Sequence, residues 1–233
     1  MKKFTLLELL IVVSIIAILL SLLLPSLKNA RKTAMRTVCL SNLSQHQVAS
    51  SLYINDNSGK FALPQIGNAN NCYRYSGKRG TYTALNLNLA DVKDKPLNAY
   101  LGFKENGQEV EIAMCPLDTN KTQRLDSTIY DFIGSSYMFS ARGAFDNDLD
   151  GNEYNAQYLS KINHPSKMIL VTSFGSFHYS KFPNWFSSDM ELHFDMKNRH
   201  PFAFVDGSSR HYTLNVGEGW DHSFNNIDWT NQQ

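Results

Sequence analysis

The sequence predicts an α+β chain: one long N-terminal helix, then a region of strands and loops. Three observations carry this. Phe4–Leu24 is a 21-residue run, apolar except for Thr5, Glu8, Ser14 and Ser21. Apolar residues then recur every three or four positions as far as Ile54. Beyond an Asn- and Gly-rich break the pattern shortens to strand-like pieces, of which the 202–214 segment reads as a hairpin.

As a helix the first run spans about 30 Å, the thickness of a bilayer's hydrocarbon layer. Glu8 is the odd residue in it. A charge at such a place costs about 3 kcal/mol on insertion scales, so it asks for a partner. A cleaved secretory signal has a shorter apolar run and a small-residue cut site, and Leu24-Pro25-Ser26-Leu27-Lys28-Asn29-Ala30 offers a poor one. A plain membrane anchor accounts for the length and leaves Glu8 unexplained.

Pro25 removes a helix hydrogen bond and crowds the preceding turn, so a kink or local melting is expected near Ser21–Leu24. Helical spacing resumes at once through Leu27, Ala30, Ala34 and Val38, through Met35, Cys39 and Leu43, then Val48 and Leu52. Lys28, Lys32 and Arg36 make a cationic stripe at i, i+4, which calls for an outside anion, either lipid phosphate or a neighbour's carboxylate. Asn55-Asp56-Asn57-Ser58-Gly59 stops the helix, and Pro64 follows. One helix of about 75 Å therefore runs from Phe4 to Ile54. Its first half is apolar all round, and its second half is amphipathic with a stripe to bury. Residues 65–108 show little periodicity. Glu109–Met114, Ser136–Ser140 and Met168–Phe174 read as strands, and Asp206-Gly207 marks the turn of the hairpin. The tail from Gly217 to Gln233 has no clear period.

The chain has 233 residues and a net charge of +1. Lys2, Lys3, Lys28, Arg31, Lys32 and Arg36 against Glu8 give residues 1–36 a charge of +5, leaving −4 for the rest. A mildly acidic main part argues against nucleic acid as a partner. Cys39, Cys72 and Cys115 are an odd set without metal spacing. In an oxidising compartment one disulfide and one leftover thiol are expected, with Cys39–Cys115 the preferred pair; three unpaired buried thiols is the alternative.

Lys3-Phe4-Thr5-Leu6-Leu7-Glu8-Leu9-Leu10-Ile11-Val12-Val13 resembles the N-terminus of type IV prepilins and type II secretion pseudopilins. The resemblance implies that a prepilin peptidase cuts between Lys3 and Phe4, that the new amine is methylated, and that Glu8 drives assembly. The family has Gly just before the Phe, where this chain has Lys3. Further pieces are similar to the pseudopilin-like proteins abundant in planctomycete and lentisphaera-type bacteria: Cys39–Gln45, Tyr53–Pro64, Met114-Cys115-Pro116-Leu117-Asp118, Lys161–Val171, and Arg199-His200 with Asp206-Gly207. The family implies a pilin-like α+β fold, a helix spine on an antiparallel sheet. The organisation is then a leader over 1–3, a membrane and assembly helix over 4–24, an amphipathic stalk over 25–54, and a globular domain over 55–233. The expected partners are inner-membrane lipid, other pilin or pseudopilin subunits, the peptidase and the secretion or pilus assembly platform. The expected place is the inner membrane, single-pass, with the C-terminal domain in the periplasm or on a surface filament.

Asp146-Asn147-Asp148-Leu149-Asp150-Gly151-Asn152-Glu153 resembles the front of a calcium loop, where Asp146, Asp148, Asp150 and Asn152 would converge on one hard cation. The twelfth position is Gln157, which supplies no bidentate carboxylate, so a looser loop or a solvated acidic turn are the two readings. Calcium is the one candidate cofactor. His193 and Asp195 share a strand face, and His200 and His211 flank the hairpin, but neither pair has zinc spacing. No hydrolase signature surrounds Ser135, Ser136 or Ser176, and nothing marks a base for Cys115. Tyr73, Tyr75, Trp185 and Trp220 could stack on sugars, though aromatics more often fill cores. The expectation is a non-enzymatic filament subunit. The rival is a membrane-tethered extracellular enzyme or glycan-binding domain on a pilin-type anchor.

Overall fold

The computed structural model describes residues 5–62, 75–81, 90–118, 127–139, 145–147, 154–156, 158–176 and 199–213. Helix α1 spans Leu6–Asp56, 51 residues without a break. The melting expected at Ser21–Leu24 does not occur: these residues stay helical, and α1 runs on through Pro25. At the far end the Asn57 N–H bonds to the Tyr53 carbonyl at 2.9 Å, and Gly59, at φ +82°, returns its N–H to Ile54 at 2.8 Å. The left-handed conformation at Gly59 is what the break in the sequence provides.

Four strands form one antiparallel sheet: β1 (Tyr137–Phe139), β4 (Ile169–Ser173), β5 (Arg199–Phe204) and β6 (Ser209–Thr213), in the order β1-β4-β5-β6. Between them in sequence, β2 (Phe145–Asn147) and β3 (Tyr154–Ala156) make a separate two-stranded ladder. The β5–β6 turn lies where Asp206-Gly207 puts it. The Asp206 carboxylate accepts from the Ser208 N–H at 2.9 Å and its hydroxyl at 2.7 Å, and Gly207 sits at φ +97°.

The sheet buries two faces. Tyr137, Phe139, Val171 and Ala203 pack with Cys39, Leu43 and Ile54 of α1. A register shift between Ile169 and Val171 places Leu170 in this same cluster. Phe202 and Phe204 alternate to the other face, each meeting the Tyr212 ring, at 6.0 and 5.4 Å between centroids. Arg210 covers Phe204, its guanidinium 4.9 Å from the ring centre.

The strand expected at Glu109–Met114 is instead a 3-10 turn, Glu111–Ala113. Val110 and Ala113 are both buried beside Tyr130, a spacing of three rather than two, and the Val110 N–H donates to the Tyr130 hydroxyl at 2.8 Å. This turn leads into Cys115, which is bonded to Cys39. Residues 75–81 lie against α2 (Ile129–Ile133) and the turn after it, with Lys78 N–H on the Gly134 carbonyl at 3.0 Å and Thr81 N–H on Asp131 at 2.9 Å. The approach is so close that a Cβ on Gly134 would fall 2.0 Å from the Lys78 carbonyl oxygen.

Candidate functional site

The candidate site is α1 and its junction with the domain. At the start, Thr5 is the N-cap. Its N–H and hydroxyl both donate to the Glu8 carboxylate at 2.8 Å, and its hydroxyl accepts from the Glu8 N–H at 3.2 Å. This is a capping box, which satisfies two orphan donors reciprocally. Sequence reading singled out Glu8 without noticing that Thr5-Leu6-Leu7-Glu8 has the spacing for it. Lys3 and Phe4 lie outside the described residues.

From Leu6 to Leu27 every residue of α1 is exposed, at mean hydropathy 3.0 over the most apolar 18 residues. Among the described residues this is the one helix long and apolar enough to cross a membrane, a look that signal sequences share. The polar groups inside it are satisfied locally. The Ser14 and Ser21 hydroxyls donate to Ile11 and Ile18 carbonyls at 2.8 and 2.7 Å, and Ser26 donates to Leu23 at 2.8 Å.

Partial burial starts at Lys32, Met35 and Arg36; full burial begins at Cys39 and follows one face through Asn42, Leu43, His46, Gln47, Ala49, Ser50 and Ile54. The expected stripes separate here. Cys39 and Leu43 are buried, whereas Leu27, Val38, Val48 and Leu52 stay exposed on the side away from the sheet. Polar side chains take their place in the seam because the opposing backbone offers partners. Asn42 Nδ2 donates to the Met114 carbonyl at 3.0 Å, Gln47 Nε2 donates to the Phe204 carbonyl, and the Ser44 and Ser209 hydroxyls meet at 2.8 Å.

His46 is fully buried beside Tyr137, its ring centre 5.2 Å away. Its Nδ1 meets the Asn42 carbonyl at 2.8 Å; burial pushes its pKa down to about 4, and that hydrogen bond opposes the shift. Neutral at pH 7, its Nδ1–H is the donor. The seam was not read from the sequence, although Asn42, His46 and Gln47 recur at helical spacing.

Cys39 and Cys115 form a disulfide closing 76 residues of separation. Asp118, in the Cys-Pro-x-Asp element, is buried and accepts from the N–H groups of Ile129 and Tyr130 at 3.0 and 2.8 Å and from the Ser136 hydroxyl at 2.6 Å. With the Thr128 N-cap it satisfies the first N–H groups of α2, and it ties them to Ser136, just before β1. On the outer side, the Lys78 ammonium bridges Glu109 and Asp131 at 3.1 and 2.7 Å over the Tyr130 ring.

The remaining candidates are not brought together among the described residues. Asp146 lies on β2, its backbone opposite Asn155. Asp148, Asp150, Asn152, Glu153 and Gln157 lie outside the described residues, as do Cys72, Tyr73, Trp185, His193, Asp195 and Trp220. His200 is buried on β5 and His211 half-buried on β6. Tyr75 is no sugar platform: it is buried and stacked on Phe139 at 4.9 Å. Ser135, Ser136 and Ser176 are buried, and Cys115 has no free thiol. No cluster of three metal-ligating side chains occurs among the described residues. No family model, no curated protein and no solved structure matches the chain.

Proposed function

We propose that the chain is a structural subunit of a pilin- or pseudopilin-type filament, held in the inner membrane until assembly. One observation carries the reading: a single unbroken helix is bare over its apolar first half and covered on one face only over its second. Out of lipid, some 20 exposed apolar residues cannot stay in water, and a bundle of identical helices covers them. The exposed side of the stalk, Leu27, Ala30, Ala34, Val38, Val48 and Leu52, extends that apolar surface beside the domain.

The N-terminal resemblance supplies the rest. Peptidase cleavage before Phe4 frees an amine, and Glu8 of an adjacent subunit pairs with it. In a site sheltered from water, removing one partner leaves a buried charge and is strongly destabilising. The capping box sets a competing account, in which Glu8 serves its own helix end. The two separate in the variant Glu8→Ala. It inserts into membranes as the native chain does and yields no filaments on this proposal, whereas normal filaments from it would leave Glu8 with the local role alone. Peptide mass analysis of membrane-extracted protein tests the cleavage, and a retained Met1 would refute it.

A further inference from the structure

Between the apolar run and the domain, α1 carries Lys28, Arg31, Lys32 and Arg36. At 100° per residue they occupy roughly 140° of the helix circumference. The same projection puts Cys39, Leu43, His46 and Ser50 in that arc. The cations therefore sit on the domain's side of the helix, directly below it. Lys28 and Arg31 are exposed and Lys32 and Arg36 half-buried, and Arg36 Nε has no hydrogen-bond partner among the described residues.

We infer that this stretch binds the phosphates of anionic lipid headgroups through the exposed Lys28 and Arg31, with Lys32 and Arg36 adding positive charge at the upper limit of reach. The inference rests on the reading that the apolar run spans a bilayer; it does not need the filament. Height decides the matter first. Measured from Leu24 at 1.5 Å per residue, Lys28 stands about 6 Å, Lys32 about 12 Å and Arg36 about 18 Å above the hydrocarbon edge. The headgroup layer is about 5–8 Å thick, and charges act about 10 Å beyond it at 0.1 M salt. Direction agrees. Side chains on a helix lean toward its N-terminus, which is here the membrane end, and Lys28 and Arg31 are exposed on that side of the domain.

A neighbour's α1 is another place to look for anions. Within the described part of α1 the acids are Glu8 and Asp56 alone. Glu8 is about 30 Å along the axis from Lys28, and Asp56 about 30 Å from Arg36. The α1 of a parallel neighbour in register therefore brings no carboxylate to Lys28 and Arg31, whereas lipid phosphate lies within their reach. Each cation at an anionic surface raises partition about fivefold, and four on one arc select anionic over neutral headgroups.

The test uses the full-length chain reconstituted into phosphatidylcholine vesicles containing one part in ten phosphatidylglycerol. Vesicles are floated, the protein is extracted in mild detergent, and the retained lipid is counted by mass spectrometry. The native chain is expected to retain phosphatidylglycerol severalfold above its input share, and K28Q/R31Q/K32Q/R36Q to return to that share. R79Q/K93Q/K104Q/K161Q, which removes four cations, all exposed, from the domain, is expected to keep the enrichment. Equal retention by the native chain and the first variant overturns the inference and leaves the anchor standing. So does a cross-linked oligomer that depends on the four cations while no lipid is enriched. A chain that fails to float with either lipid overturns the membrane reading itself.

Discussion

Cys39, the first residue of α1 that the domain buries, is also the residue bonded to Cys115. The staple therefore stands at the point where the bare helix enters the fold, next to the Asn42–Met114 hydrogen bond. Any pull on the apolar half reaches the domain through this junction. Closing so long a loop restricts the unfolded chain strongly, an effect of about 4 kcal/mol on the chain-entropy account. Reduction, or Cys39→Ser with Cys115→Ser, is expected to lower the melting temperature of the detergent-solubilised protein by about 10 °C or more. An unchanged transition under reductant would show that the bond adds nothing.

His46 makes the junction sensitive to acid. Its pKa in the fold, about 4, lies below its ordinary 6.5, so the neutral ring is the folded form. The contribution is complete above pH 6.5 and declines as pH falls toward 4, because the unfolded chain takes up a proton that the fold refuses. The loss is on the order of 3 kcal/mol across that window. His46→Leu is expected to flatten the dependence of melting temperature on pH between 6.5 and 4. An identical slope in the variant would exclude His46 as its source.

Two glycines with nearly the same backbone angle separate space from strain. Gly134 (φ +89°) faces the Lys78 carbonyl, whereas Gly102 (φ +90°) faces open space. Gly102→Ala is expected to cost about 1 kcal/mol from the left-handed conformation alone. Gly134→Ala adds a backbone clash and is expected to cost more than about 3 kcal/mol, as calorimetry or denaturant titration would read. Equal costs would mean that the 75–81 segment moves aside.

The capping box gives a local test. Thr5→Ala removes the hydroxyl that bonds Glu8 at both ends and is expected to destabilise the first turn by about 1 kcal/mol. The readout is faster amide exchange at Leu6–Leu9 in a micelle, with the domain's melting unchanged.

How much of this was written locally in the chain varies by element. The hairpin was legible because Asp206-Gly207 and its flanking strands are contiguous, and α1 because an unbroken apolar run leads straight into about 30 residues of one helical period. The strand placed at Glu109–Met114 failed because six residues cannot distinguish a spacing of two from one of three until Tyr130 is known to face Val110. The seam failed for a different reason. Asn42, His46 and Gln47 look solvated until the Met114 and Phe204 carbonyls arrive from 72 and 157 residues away. Sheet order is equally non-local: β4 lies between β1 and β5 although more than 20 residues separate it from each in sequence. At the candidate site, Glu8 stood out as an acid in an apolar run, while its tie to Thr5 required the helix to begin at Leu6.

The central claim is that the apolar half of α1 must be covered, by lipid or by copies of itself with Glu8 holding the register. Electron microscopy and sedimentation of the full-length chain after gradual detergent removal test it most directly. The account predicts elongated assemblies from the native chain and disordered aggregates from Glu8→Ala. A native chain that stayed monodisperse and monomeric in plain buffer, or filaments indifferent to Glu8, would contradict it.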